Sequence, residues 1–151
     1  MKSKNLSEKI LKSVKTKGFK HIELPSIIEV DHIVQRSGEN FRKFIFSFVD
    51  QNGSELCLRP DLTIVSCLRY LENNLKGKEK ISYSGQAYRK SKNKKNSIIR
   101  NQIGFEIIGS KNEKNDDKEI INTSLKSLKN LRYSSGILTL GNVEIFNILI
   151  S

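Results

Sequence analysis

Gln102, Gly104 and Glu106 occupy alternate positions in the run Gln102-Ile103-Gly104-Phe105-Glu106-Ile107-Ile108-Gly109. Read as a strand, this run sends successive side chains to opposite faces. One face then carries an amide, a bare backbone position and a carboxylate, and the other carries Ile103, Phe105 and Ile107. At about 3.3 Å per residue the amide and the carboxylate stand roughly 13 Å apart. A glycine inside a strand weakens it unless something approaches the backbone closely. That pattern fits the floor of a small-molecule pocket with a polar hook at each end. An ordinary solvent-facing strand with a bulge at Gly104 fits the spacing as well.

The elements that must position this face follow from local signals. Phe44–Val49 and Glu55–Arg59 flank Asn52-Gly53, which supplies the positive-φ turn of a hairpin. The second strand runs into Pro60-Asp61, a helix entry at which Asp61 can cap the first turn. Leu62, Val65, Leu68, Arg69 and Leu75 then mark one helical face, ending near Gly77. Ile81–Arg89 reads as a strand, and Lys92, Lys94 and Lys95 as a basic loop. Upstream, Leu6, Ile10, Leu11 and Val14 define an amphipathic helix closed by Gly18. Phe19–Glu29 contains an extended segment ending at Pro25, which restricts Leu24 to extended backbone. Asp31–Gly38 reads as a short helix. Downstream, Asp116–Tyr133 is expected to be a helix with Ile120, Ile121, Leu125, Leu128 and Leu131 on its apolar side. Gly136–Gly141 reads as a further strand and Val143–Ile150 as the start of a helix.

The 151 residues are one domain's worth, and 36% hydrophobic content is enough to bury a core. No apolar run approaches the roughly 20 residues that span a bilayer, and no signal-peptide pattern opens the chain. These features point to a cytoplasmic protein. Cys57 and Cys67 lack metal or redox spacing and are expected to be two buried free thiols. His21 and His32 suggest neither a zinc site nor a nucleophile–base pair. Neither a cofactor nor a metal is implied. A formal charge of +11 invites a nucleic-acid partner, yet 20 of the 27 basic residues are lysine, spread along the chain. No stripe of arginine interleaved with aromatics is available to stack on bases, which argues against specific nucleic-acid recognition.

Taken together, Leu58-Arg-Pro-Asp-Leu-Thr63, a helix, Tyr88-Arg89, a loop and Gln102-x-Gly104-x-Glu106 resemble the histidyl-tRNA synthetase-like class II proteins. Within them the Asp61-Leu62 pair is most similar to the regulatory subunits of ATP phosphoribosyltransferase, which are synthetase paralogues. The resemblance runs from about Gly18 to Asn142. It implies an α+β fold over residues 1–151, a mostly antiparallel sheet flanked by helices, corresponding to the first half of such a protein and incomplete at its C-terminal end. It also implies that Phe19–Glu29 is similar to the segment that builds the class II dimer interface. By resemblance, Asp61, Thr63 and Gln102 would hold the amino group of histidine, Arg89 would lie near its carboxylate, and Glu106 would accept from its ring. Carboxylate and hydroxyl both accept from an ammonium, in charge-assisted bonds of roughly 1.5–3 kcal/mol.

The chain also departs from the active synthetases. Their glutamate shortly after the arginine is replaced by Ser91, and their Arg-Glu-Phe triplet by Ile98, Ile99 and Arg100. The groups that would manage ATP have drifted, and those that would grip an amino acid remain. With this contrast, the resemblance implies a non-catalytic regulatory subunit, a homodimer within a hetero-oligomer, that joins a catalytic ATP phosphoribosyltransferase subunit and takes L-histidine as effector. Two alternatives stand beside it: a fragment of a histidine-activating synthetase, and a basic RNA-binding module with a vestigial pocket.

Overall fold

A computed structural model describes residues 2–91, 97–131, 135–141 and 147–148. Helix α1 (Lys2–Lys15) sets Val14 into the core, and Gly18 at φ 82° turns the chain into β1 (Lys20–His21). Strand β2 (Ile27–Glu29) leads into α2 (Val30–Ser37), which Gly38 ends at φ 78°. A 3₁₀ turn over Glu39–Phe44 precedes the hairpin of β3 (Ser47–Val49) and β4 (Glu55–Leu58). Asp50 shapes that turn by accepting from the backbone N–H groups of Asn52 and Ser54. Helix α3 (Leu62–Glu72), β5 (Glu79–Tyr88), β6 (Ile99–Ile108) and α4 (Glu113–Asn130) complete the order.

The strands form two three-stranded sheets, β1-β5-β6 and β2-β4-β3. Among the described residues only β1 and β5 run parallel; the other pairs are antiparallel, in keeping with the expected mostly antiparallel sheet. The extended segment expected to run up to Pro25 is a strand only as far as His21, because beyond Ile22 the backbone leaves the ladder to meet the side chain of Arg59. Arg59 is 6% exposed, and its guanidinium donates to the carbonyls of Leu24, Pro25 and Gln86. The Arg59 backbone bonds Ser26 on one side and Tyr88 on the other, so this one residue ties the two sheets together. Carbonyl acceptors satisfy a buried cation that has no carboxylate partner among the described residues.

The long hairpin sets the register of the candidate face. Gln102 stands opposite Gly85, Gly104 opposite Tyr83, and Glu106 opposite Ile81. Cross-strand partners share a face, so the polar trio lies on the side holding Ile81, Tyr83 and Ala87, which pack with Leu62 and Ile22 in one core cluster. A second cluster gathers Ile28, Val30, Ile33, Ile45, Cys57 and Val65. The opposite face of the hairpin meets α1, with Phe19 edge-on to Phe105 at 5.3 Å between ring centroids. Both faces of this sheet are therefore covered, and the Gln102 face is more core than open floor.

Gly104 is bare for an internal reason. A Cβ there would come within 2.4 Å of the Tyr83 ring. The same holds at Gly109, where a Cβ would come within 2.0 Å of the Tyr70 hydroxyl. Side chains of this chain, not a ligand, occupy the space the two glycines leave.

Four expectations are corrected. Gly136–Gly141 is irregular and exposed, with Ile137 96% accessible; among the described residues no strand lies alongside to complete a ladder. Helix α4 starts earlier and ends earlier than its apolar pattern suggests, capped by Asn112. Its buried side carries Asp116, Thr123 and Ser127, while Leu125 and Leu128 face outward, because Lys78 and Lys80 of the β5 region draw in Asp116 and Glu119 and Ser13 of α1 bonds Ser127 and Asn130. Cys57 is buried and its thiol is pushed up to about 11 by burial, but Cys67 is exposed on α3. The basic loop at Lys92, Lys94 and Lys95, and most of the helix expected over Val143–Ile150, lie outside the described residues. No helix among the described residues is long and apolar enough to cross a membrane.

Gly104→Ala should cost about 1–3 kcal/mol, the usual cost of overpacking, because the new methyl must displace a fully buried ring. Urea denaturation checks this, and an unchanged midpoint would remove the ring from that space. Asp116 is held below its ordinary value of 3.8, chiefly by the hydrogen bond from Lys78. Its contribution to stability should therefore be complete above about pH 4 and fade as pH falls through the depressed folded value. Asp116→Asn should flatten that part of the acid denaturation curve.

Candidate functional site

The start of α3 is the node of the site. Pro60 precedes Asp61, whose extended backbone places its carboxylate over the first helical turn. Oδ1 accepts from the backbone N–H groups of Thr63 at 2.8 Å and Ile64 at 3.3 Å, an N-cap that the sequence anticipates. Oδ2 faces the sheet, where it accepts from Gln102 Nε2 at 3.1 Å and Arg89 Nη2 at 3.3 Å.

Each partner is itself held. Gln102 Oε1 accepts from Leu62 N at 3.1 Å, which fixes the amide's orientation and turns Nε2 toward Asp61. Arg89 Nε donates to Pro60 O at 2.8 Å, and the guanidinium lies 5.5 Å from the centroid of the Phe41 ring. The Asp61 carboxyl is 18% exposed and Arg89 34%. The pair is thus partly screened but open to solvent on one side.

Thr63 and Glu106 are joined through a residue that spacing alone does not single out. Tyr83 Oη lies 2.9 Å from Thr63 Oγ1 and donates to Glu106 Oε1 at 2.6 Å. Burial, and then the hydrogen bond to Glu106, push the phenol's ionisation well above its ordinary value. All five expected residues, Asp61, Thr63, Arg89, Gln102 and Glu106, therefore lie around the N-terminal turn of α3. Tyr83 completes the set. The signal for it is the register, since a hairpin that pairs Gly104 with Tyr83 lets the tyrosine ring lie across the glycine.

Thr63 also borders a cleft of about 350 Å³ between α2 and α3, lined by His32, Gln35, Arg36, Ile64, Cys67 and Leu68 among others. Although Cys67 is exposed as a residue, the walls of the cleft partly desolvate its thiol and raise it, Glu106 raises it further, and a hydrogen bond with Ser66 lowers it. His32 stands 3.8 Å from Glu29 and 3.9 Å from Glu72 at the surface. Among the described residues no group of three or more His, Cys, Asp or Glu side chains is placed to hold a metal ion.

The arrangement offers two carboxylates, a hydroxyl, an amide and a guanidinium around one partly open position. Its chemistry suits recognition of a small zwitterion or cation.

A family model described as histidyl-tRNA synthetase matches residues 1–151. The ATP phosphoribosyltransferase regulatory subunit of Sinorhizobium fredii is 27% identical over 131 residues, covering 86% of this chain and 34% of the relative. Its Brucella ovis counterpart is 27% identical over 126 residues, covering 83% and 33%. This chain thus spans about a third of the length of those curated relatives. Among solved structures, an ATP phosphoribosyltransferase regulatory subunit/histidyl-tRNA synthetase from Bacillus halodurans C superposes with a TM-score of 0.73 at 24% identity, over 87% of this chain and 34% of the other. The pyrrolysyl-tRNA synthetase of Desulfitobacterium hafniense gives 0.70 at 20% identity, over 89% and 49%. Both share the fold of two helix-flanked sheets described above. The chain belongs to the histidyl-tRNA synthetase family and has its class II α+β fold.

Proposed function

We propose that this chain is the amino-acid-binding part of a non-catalytic regulatory subunit of ATP phosphoribosyltransferase, the enzyme that joins ATP to phosphoribosyl pyrophosphate at the first step of histidine biosynthesis. The observation that carries the reading is a contrast within one hairpin. On its inner side Gln102 reaches Asp61 at 3.1 Å and Glu106 is engaged by Tyr83. At the end of the same hairpin, the positions where an active synthetase has charged groups for its nucleotide hold Ser91, Ile98 and Ile99, and both isoleucines are exposed. The names of the curated relatives support the same reading.

In this role the chain works in the cytoplasm, binds L-histidine through Asp61, Thr63, Arg89, Gln102 and Glu106, and transmits that occupancy to a separate catalytic subunit. Regulation follows from differential affinity: histidine shifts the assembly only as far as it prefers one state over another. Self-association into a homodimer within the hetero-oligomer would use the Phe19–Glu29 segment. Ile27 and Phe48 on the β2-β4-β3 sheet are exposed and apolar there.

Histidine at a hundredfold excess over its Kd should stabilise the full chain by about 2.7 kcal/mol, read as a rise in Tm. Glu106→Ala should abolish that rise. Asp61→Asn separates capping from binding, because asparagine caps a helix as well as aspartate. The cap survives, but Nδ2 then replaces the oxygen that accepts from Gln102 and Arg89. The unliganded Tm should therefore fall while staying above that of Asp61→Ala, and histidine affinity should drop; unchanged affinity would reduce Asp61 to a cap.

Co-expression with a catalytic phosphoribosyltransferase subunit should yield a complex whose activity depends on this chain and falls with histidine. Activity independent of the chain would end the regulatory assignment. Histidine-dependent exchange of pyrophosphate into ATP would instead support the synthetase reading.

A further inference from the structure

Helix α4 is fastened to the rest of the chain by polar groups. Lys78 Nζ lies 2.5 Å from Asp116 Oδ1 and 3.9 Å from Glu119 Oε2, and Lys80 Nζ lies 2.5 Å from Glu119 Oε1. Glu79 between the two lysines is taken by Arg69 of α3. Toward the other end of the helix, Ser13 of α1 bonds Ser127 and Asn130. The side that α4 buries is Asp116, Thr123 and Ser127, and neither core cluster contains a residue of α4. Its apolar residues Ile120, Ile121, Leu125 and Leu128 border a groove shared with residues 135–138.

This mode of attachment has a physical consequence. An apolar docking face holds in proportion to the area it removes from water, whereas partly exposed ion pairs weaken as salt screens them. The side chains of Lys78 and Glu119 are 41% and 32% exposed. Asp116 Oδ2 is buried and takes no hydrogen bond among the described residues, a cost that separation of the helix relieves. Lys80 has further holds outside α4, on the Lys17 carbonyl and over the Phe19 ring at 4.7 Å, so it keeps its place when Glu119 leaves. The sheet beneath keeps its register too, because β5 pairs with β1 and β6 and not with the helix.

We propose that α4 is a charge-held latch, which lifts from α1 and the β5–β6 hairpin as one unit when ionic strength rises, while both core clusters stay folded. The latch grips the end of the hairpin that carries Glu106: Lys80 stands opposite Ile107, and Ile81 opposite Glu106. Opening bares the two lysines at that end. The device works without a ligand, so it holds whatever the site binds.

The test is hydrogen exchange of the full chain at neutral pH, in about 0.05 M and about 0.5 M sodium chloride, with α4 amides compared against those of β5 and β6 in the same sample. Amides across the middle of α4 should share one protection level, below that of the hairpin. The added salt should lower it by roughly threefold while the hairpin stays as it was. Glu119→Gln removes the partner of both lysines. It should raise α4 exchange at low salt by a similar factor and shrink the further rise on adding salt. Lys78→Met should do the same from the opposite side of the contact, and decides the matter if Glu119→Gln unfolds. A merely structural role would speed exchange in helix and hairpin alike. That result, a ratio of α4 to hairpin exchange that ignores salt, a gradient of protection fraying from the helix ends, or parent-like exchange in both variants would overturn the latch.

Discussion

The Asp61 carboxylate is the point at which fold and site become one object. Its two oxygens take four N–H donors drawn from the first turn of α3, from β6 and from the residue that follows β5. A carboxylate confined in this way has no freedom to reorient. Such preorganisation lowers the ordering cost of binding. The same confinement gives a purely structural element, a helix cap, a direct line to both strands of the hairpin.

That line is kept taut from behind by Arg59. A buried cation with no carboxylate beside it would be costly, and three backbone carbonyls remove the cost. Burial still lowers its pKa from the ordinary arginine value. Because the acceptors come from the β1–β2 connection and from β5, the position of Pro60 and Asp61 is set by both sheets at once. Charge here serves geometry. Arg59 makes no demand on the two carboxylates of the candidate site, of which Asp61 meets Arg89.

Much of this arrangement was legible in the residues. Asn52-Gly53 announced the hairpin, Pro60-Asp61 the helix entry, and the alternation around Gly104 the shared face of Gln102 and Glu106. What could not be read was what fills the spaces between elements. Gly104 and Gly109 signal a close approach in sequence, but only the folded chain shows that the approaching groups are Tyr83 and Tyr70. The apolar pattern of α4 pointed to a hydrophobic docking face, and ion pairs from Lys78 and Lys80 turned the helix the other way. Gly136–Gly141 has strand-forming residues and no described partner, and backbone hydrogen bonding, not propensity, decides whether a strand exists.

Gly85 lies opposite Gln102 and under the guanidinium of Arg59, where a Cβ would come within 2.5 Å of Nη2. Positions 59 and 85 therefore share a single allotment of space. A descendant sequence that shortens residue 59 releases position 85 to carry a side chain, and one that fills position 85 first loses the clasp between its sheets. Drift at these two sites should be paired in time, with the shortening coming first.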